Sequence, residues 1–174
     1  MLPSSRYYAN WLAVIRIFTG IFWLVHGVPK FLNGDRFLPP SGFIVDMVNH
    51  SLQGNTGFYH AFLAGVVQPN IMLFAQLTRA GEVLVGISLL LGLFTRLGGA
   101  GGIFLALNYM GAQGEFASIN TLGSLDIAAL VLSAISLIFP TGRVFGLDAV
   151  ITKNRKIAEM PPLDREDISS ATRS

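Results

Sequence analysis

Residues 10–30 read NWLAVIRIFTGIFWLVHGVPK, and two properties of this stretch decide the fold. The run from Trp11 to Val28 is almost wholly apolar, close to the roughly 20 residues a helix needs to cross a hydrocarbon core about 30 Å thick. Its exceptions fall at helical spacing. Arg16, Gly20, Trp23, Gly27 and Lys30 follow one another by steps of four, three, four and three, which places them along one face of a helix. His26 precedes Lys30 by one turn and stands about 40° round the same helix. Charged groups alternating with glycine predict a face turned toward other helices, where a neighbouring backbone approaches closely and polar groups meet partners.

The whole chain has the same character. Its 174 residues are 52% hydrophobic and 13% charged, with 19 glycines, whereas soluble domains carry about 25% charge. With a mean hydropathy of +0.56, the expectation is one integral membrane domain over residues 1–152, followed by a mobile charged tail at 153–174. The pI of 9.2 does not point to nucleic acid, because the net charge is only +2 and six of the 12 Lys and Arg lie at or after Arg143. Such clustering reads as membrane orientation. The chain contains no cysteine, so it carries no disulfide, thiolate metal site or Cys-ligated cluster. The first apolar run ends in Pro29-Lys30 without a small-x-small cleavage site and is expected to stay as an anchor.

Four helices are predicted, over about 10–30, 72–95, 97–114 and 121–139. The turn around Thr95-Arg96 is so short that the second and third must be antiparallel neighbours. The fold class is therefore all-α, an integral membrane four-helix bundle. Its long connection at 31–70 exceeds an ordinary loop and should be structured. Phe43 to Val48 and Phe58 to Val67 read as short amphipathic or re-entrant pieces within it. Arg6, Arg96 and the basic tail beginning at Arg143 place both termini in the cytoplasm, because the loop between helices three and four has no Lys or Arg.

The polar residues are the handles on function. Arg79 and Glu82 lie on one face of the second helix, Asn108 interrupts the third, and Asp126 opens the fourth. Glu82 and Asp126 are the natural counter-charges for Arg16, Lys30 and Arg79. Together these groups predict a polar cavity under the 31–70 connection, in the outer half of the membrane. That cavity would gather the carboxylates of Glu82 and Asp126 with the cations and hydrogen-bonding groups of Arg16, His26, Lys30, Arg79 and Asn108. The competing reading is structural: buried pairs orient helices, His26 is a hydrogen-bonded core residue, and Arg96, Arg143 and Asp148 serve orientation and packing. His50 and His60 have no carboxylates at ligand spacing, so no metal site is expected. Dinucleotide, P-loop and HExxH motifs are missing as well.

Several stretches together resemble the DoxX/DoxD family of small four-helix membrane proteins. They are GIFWLVHGVPKF at 20–31, GEVLVGISLLLGLFTRLGG at 81–99, LALNYMGAQG at 105–114, Asp126, and GRVFGLD at 142–148. The resemblance spans about residues 10–150. It implies a prokaryotic plasma-membrane protein with a quinone-adjacent redox role, since the DoxD branch includes the small subunit of thiosulfate:quinone oxidoreductase. Quinone is then the implied cofactor, with Glu82 and Asp126 relaying protons and Arg16, His26, Lys30, Arg79 and Asn108 binding a quinone carbonyl or an anion. The bilayer and other membrane subunits are the implied partners. An accessory subunit at the edge of a larger electron-transfer complex, with His26 ligating a pigment or haem, is the other reading. A small transporter fits less well, because no repeat or broken helix pair is visible.

Overall fold

The polar stripe of the first stretch folds into one long helix, α1, Ser5–Leu32. The computed structural model describes residues 5–113, 125–139, 141–150 and 153, and all regular structure among them is helical. The remaining elements are α2 (Gly34–Phe37), α3 (Phe43–Gly54), α4 (Gly57–Phe62), α5 (Ile71–Leu91), α6 (Thr95–Ala112) and α7 (Leu125–Ile138). A π-helical turn at Leu63–Val67 and a 3-10 turn at Gln68–Asn70 join α4 to α5. Residues 121–124 of the expected fourth helix, most of the loop before it, and the tail apart from Lys153 lie outside the described residues.

Helix α1 packs along α5, and α6 packs along α7 while also meeting α5. One core joins all four, with Trp23 from α1, Val85 and Leu89 from α5, Leu105 and Ala106 from α6, and Ala129 from α7. The α1–α5 contact is backbone on backbone. A Cβ at Gly20 would fall 2.5 Å from Leu90 N and 2.9 Å from Gly86 O, so the small residues read from the sequence are what allow this approach.

Polarity in these four helices runs opposite to that of a soluble bundle. Their outer faces carry Phe18, Val25, Leu84, Phe104 and Val131, all exposed, while Arg16, Thr19, Glu82 and Ser133 are buried. Trp23 donates its indole N–H to Ser133 Oγ at 3.2 Å inside the bundle. Two helical stretches, Tyr7–Leu32 and Gly57–Leu91, are long and apolar enough to cross a membrane. The described part of α7 has 14 residues.

Helix ends differ from the sequence reading. α5 stops at Leu91, short of the expected 95, because Gly92 takes the left-handed conformation (φ 66°) and its N–H caps back to Ser88 O. A side chain at 92 would also collide with the Arg16 guanidinium. α6 then starts at Thr95, before the expected 97, because Asp148 caps it from 53 residues away. Asp148 accepts from Phe94 N at 2.8 Å, Thr95 N at 3.0 Å and Thr95 Oγ1 at 2.6 Å. A carboxylate is favourable there, where helical N–H groups lack intrahelical partners.

The 31–70 connection is ordered into helical pieces, as its amphipathic pattern implied. Ile44 packs with Phe37 and Ala75, and Val48 packs with Leu63 and Val67. These two small clusters seat α2, α3 and α4 against the start of α5.

Candidate functional site

Lys30, Glu82 and Tyr109 arrive from α1, α5 and α6 and meet at one point. The Lys30 ammonium donates to Glu82 Oε1 and to Tyr109 Oη, each at 2.6 Å. The Tyr109 hydroxyl donates to the same Glu82 Oε1 at 2.5 Å. Gly27, one turn before Lys30, makes this possible, since a Cβ there would lie 2.8 Å from Glu82 Cβ. The Lys30 ammonium also stands 5.1 Å from the ring centroids of both Phe37 and Tyr109, close enough for cation–π attraction.

Glu82 is 1% exposed and Lys30 18%. A carboxylate buried this deeply is retained only when paired and hydrogen-bonded. Glu82 Oε1 takes both bonds, and Oε2 is buried without a partner. Half of the carboxylate thus keeps unused accepting capacity.

The triad forms one wall of an open cleft of about 380 Å³, which Trp23, His26 and Asp126 also line. Phe22 and Phe43 supply apolar walls. Asp126 Oδ2 accepts from Gln113 Nε2 at 2.5 Å. His26 is exposed to this space, and its Nδ1 sits 2.8 Å from Phe22 O one turn back. Tyr109 also borders a second, mainly apolar pocket between α3 and α4 on one side and α5 and α6 on the other. Its ring therefore lies between the two spaces.

Of the residues singled out in the sequence, the structure brings His26, Lys30, Glu82 and Asp126 to this cleft. Arg16, Arg79 and Asn108 are placed elsewhere. Arg16 shares the face of Lys30 but precedes it by fourteen residues, about 21 Å along a helix. It is fully buried and donates through Nη1 to Thr141 O (3.0 Å) and Val144 O (3.2 Å), and through Nη2 to Phe145 O (3.0 Å). Its guanidinium holds the GRVFGLD segment onto the α5–α6 turn. Arg79 donates through Nε to Gln76 Oε1 at 2.7 Å and lies 4.4 Å over the Phe31 ring. Asn108 bonds back to Phe104 O at 2.7 Å and borders the apolar pocket. Arg96 is exposed at the start of α6. Arg143 belongs to the turn Thr141–Arg143, and its side chain lies outside the described residues.

Tyr109 and Gln113 were not singled out in the sequence. Their spacing of four puts both on one face of α6, the signal that would have found them beside Asn108. Among the described residues no group of three or more His, Asp or Glu is arranged to hold a metal.

The inverted polarity, the two long apolar helices and the buried ion pair are those of a membrane protein, helical throughout the regular structure of its described residues. A family model described as "TQO small subunit DoxD" matches residues 11–161. The chain belongs to the DoxD family. No curated protein and no solved structure matches it.

Proposed function

We propose that this chain crosses a prokaryotic plasma membrane four times, through α1, α5, α6 and α7, with both termini cytoplasmic, and that its cleft binds a quinone. It would serve as the quinone-side subunit of an oxidoreductase that draws electrons from a sulfur compound or a respiratory donor. The observation that carries this reading is the Lys30–Glu82–Tyr109 triad on the wall of an aromatic-lined cleft.

Each part has a chemical use. Two of the three Lys30 N–H groups are committed to Glu82 and Tyr109, so the third can donate to a quinone carbonyl. Phe22 and Phe43 offer flat apolar surface to a ring. Reducing a quinone to hydroquinone takes two electrons and two protons. Glu82 and Tyr109, hydrogen-bonded to each other and to Lys30, form a short path along which a proton can pass to the ligand, with Asp126 on the same cleft. A quinone bound there supplies the redox chemistry, and a partner subunit supplies the electrons.

Photolabelling tests the proposal. A photoreactive azidoquinone should label peptides of α1 and α6 that border the cleft. Excess decylubiquinone should suppress this labelling, and Glu82→Gln should weaken it. Labelling confined to the outer faces around Phe18, Leu84 and Phe104, with no competition, would overturn the assignment.

A further inference from the structure

His26 carries a feature the triad does not use. Its Nδ1 lies 2.8 Å from the carbonyl oxygen of Phe22. A carbonyl only accepts, so Nδ1 must hold the proton, and in the neutral ring Nε2 is left as a bare lone pair. The ring also leans on Phe22, with centroids 4.4 Å apart and planes tilted by 38°, which fixes its orientation. Nε2 has no hydrogen-bond partner among the described residues, and the side chain borders the cleft.

We infer that His26 makes the cleft selective for the reduced, hydroxyl-bearing form of the ligand headgroup. The inference rests on the quinone reading above. His26 and Lys30 are one helical turn apart on the same cleft, so they present an acceptor and a donor side by side. A hydroquinone hydroxyl satisfies both: its oxygen accepts from the free Lys30 N–H, and its hydrogen goes to Nε2. A quinone carbonyl can only accept, so its lone pairs would face that of the imidazole. The groups facing His26 across this space are Glu82 from α5, Tyr109 and Gln113 from α6, and Asp126 from α7, with Arg36 of α2 at the outer mouth. Binding alone is at issue, and no bond is made or broken.

The test uses the full chain in lipid nanodiscs, with decylubiquinone and anaerobically held decylubiquinol as probes, at pH 8. The reduced form should bind about tenfold more tightly, the worth of one hydrogen bond made rather than left unmade. His26→Phe keeps an aromatic ring against Phe22 and removes the acceptor. It should bring the ratio close to one, chiefly by weakening the reduced form. In the wild type, a long-range proton–nitrogen spectrum of the histidines should show a protonated Nδ1 and a bare Nε2. That Nε2 signal should move with decylubiquinol and stay in place with decylubiquinone. Equal affinity for the two forms, or a proton found on Nε2, overturns the inference and leaves the quinone site standing. Failure of both forms to bind overturns the site as well.

Discussion

Replacing Gly20 by alanine tests the packing on which the cleft depends. The added Cβ would lie 2.5 Å from Leu90 N and 2.9 Å from both Leu90 Cα and Gly86 O. Nonbonded carbon contacts settle near 3.5–4.0 Å, and all three obstacles are backbone, so α1 and α5 must part by about 1 Å. Overpacking of this kind costs about 1–3 kcal/mol, against a gain of about 0.5–1 kcal/mol from removing a helical glycine. Gly81 on α5 is the control, because a Cβ there meets the movable Leu105 side chain at an ordinary 3.5 Å. Gly81→Ala should therefore keep the helical gain. The helical gain is common to both, so the two variants should differ by the overpacking cost of about 1–3 kcal/mol. At about 2–4 °C per kcal/mol for a chain of this size, that is roughly 2–12 °C in unfolding temperature. Thermal unfolding in detergent, followed by tryptophan emission, reads the difference because Trp23 lies in the four-helix core. If Gly20→Ala melts no lower than Gly81→Ala, the α1–α5 crossing described above is wrong.

Lys30→Met should destabilise by about 3–5 kcal/mol, the usual effect of leaving a buried carboxylate without its cation. Adding Glu82→Gln should recover most of that loss in unfolding measurements, and strictly additive effects would contradict the pair. Asp148→Ala should cost about 0.5–2 kcal/mol by uncapping α6, and hydrogen exchange should quicken at the Phe94 and Thr95 amides; unchanged exchange there would refute the cap. Arg16→Lys replaces a fork reaching three carbonyls with a point charge. Limited proteolysis should then cut within 141–150 more readily, and equal resistance would show that Arg16 does not hold this segment.

How far the sequence reached depended on the range of each interaction. The stripe from Arg16 to Lys30 was legible because a 3.6-residue period alone sets it, and Trp23 and Gly27 are buried along it as expected. The face was legible, yet depth along it separates Arg16 from Lys30 into two ends of the bundle, one holding a loop and the other lining a cleft. Arg79 was grouped with Glu82 by spacing, but the 60° between them turns its guanidinium onto Phe31. The ends of α5 and α6 were not legible from hydropathy. Gly92 ends the first through a positive φ, and Asp148 starts the second from far along the chain. Tyr109 escaped notice because an aromatic residue in an apolar helix looks like core. Only the positions of Lys30 and Glu82 show that its hydroxyl is in use.

Trp23 lines the cleft, and the chain has only one other tryptophan, Trp11, which is exposed near the far end of α1. Quenching of tryptophan emission by added decylubiquinone therefore measures occupancy of the site directly. In the Trp11→Phe variant quenching should rise to saturation, and in Trp23→Phe the saturable part should vanish. Quenching that grows linearly with decylubiquinone and is alike in both variants would mean that quinone meets the protein only from the lipid, and the cleft would not be its binding site.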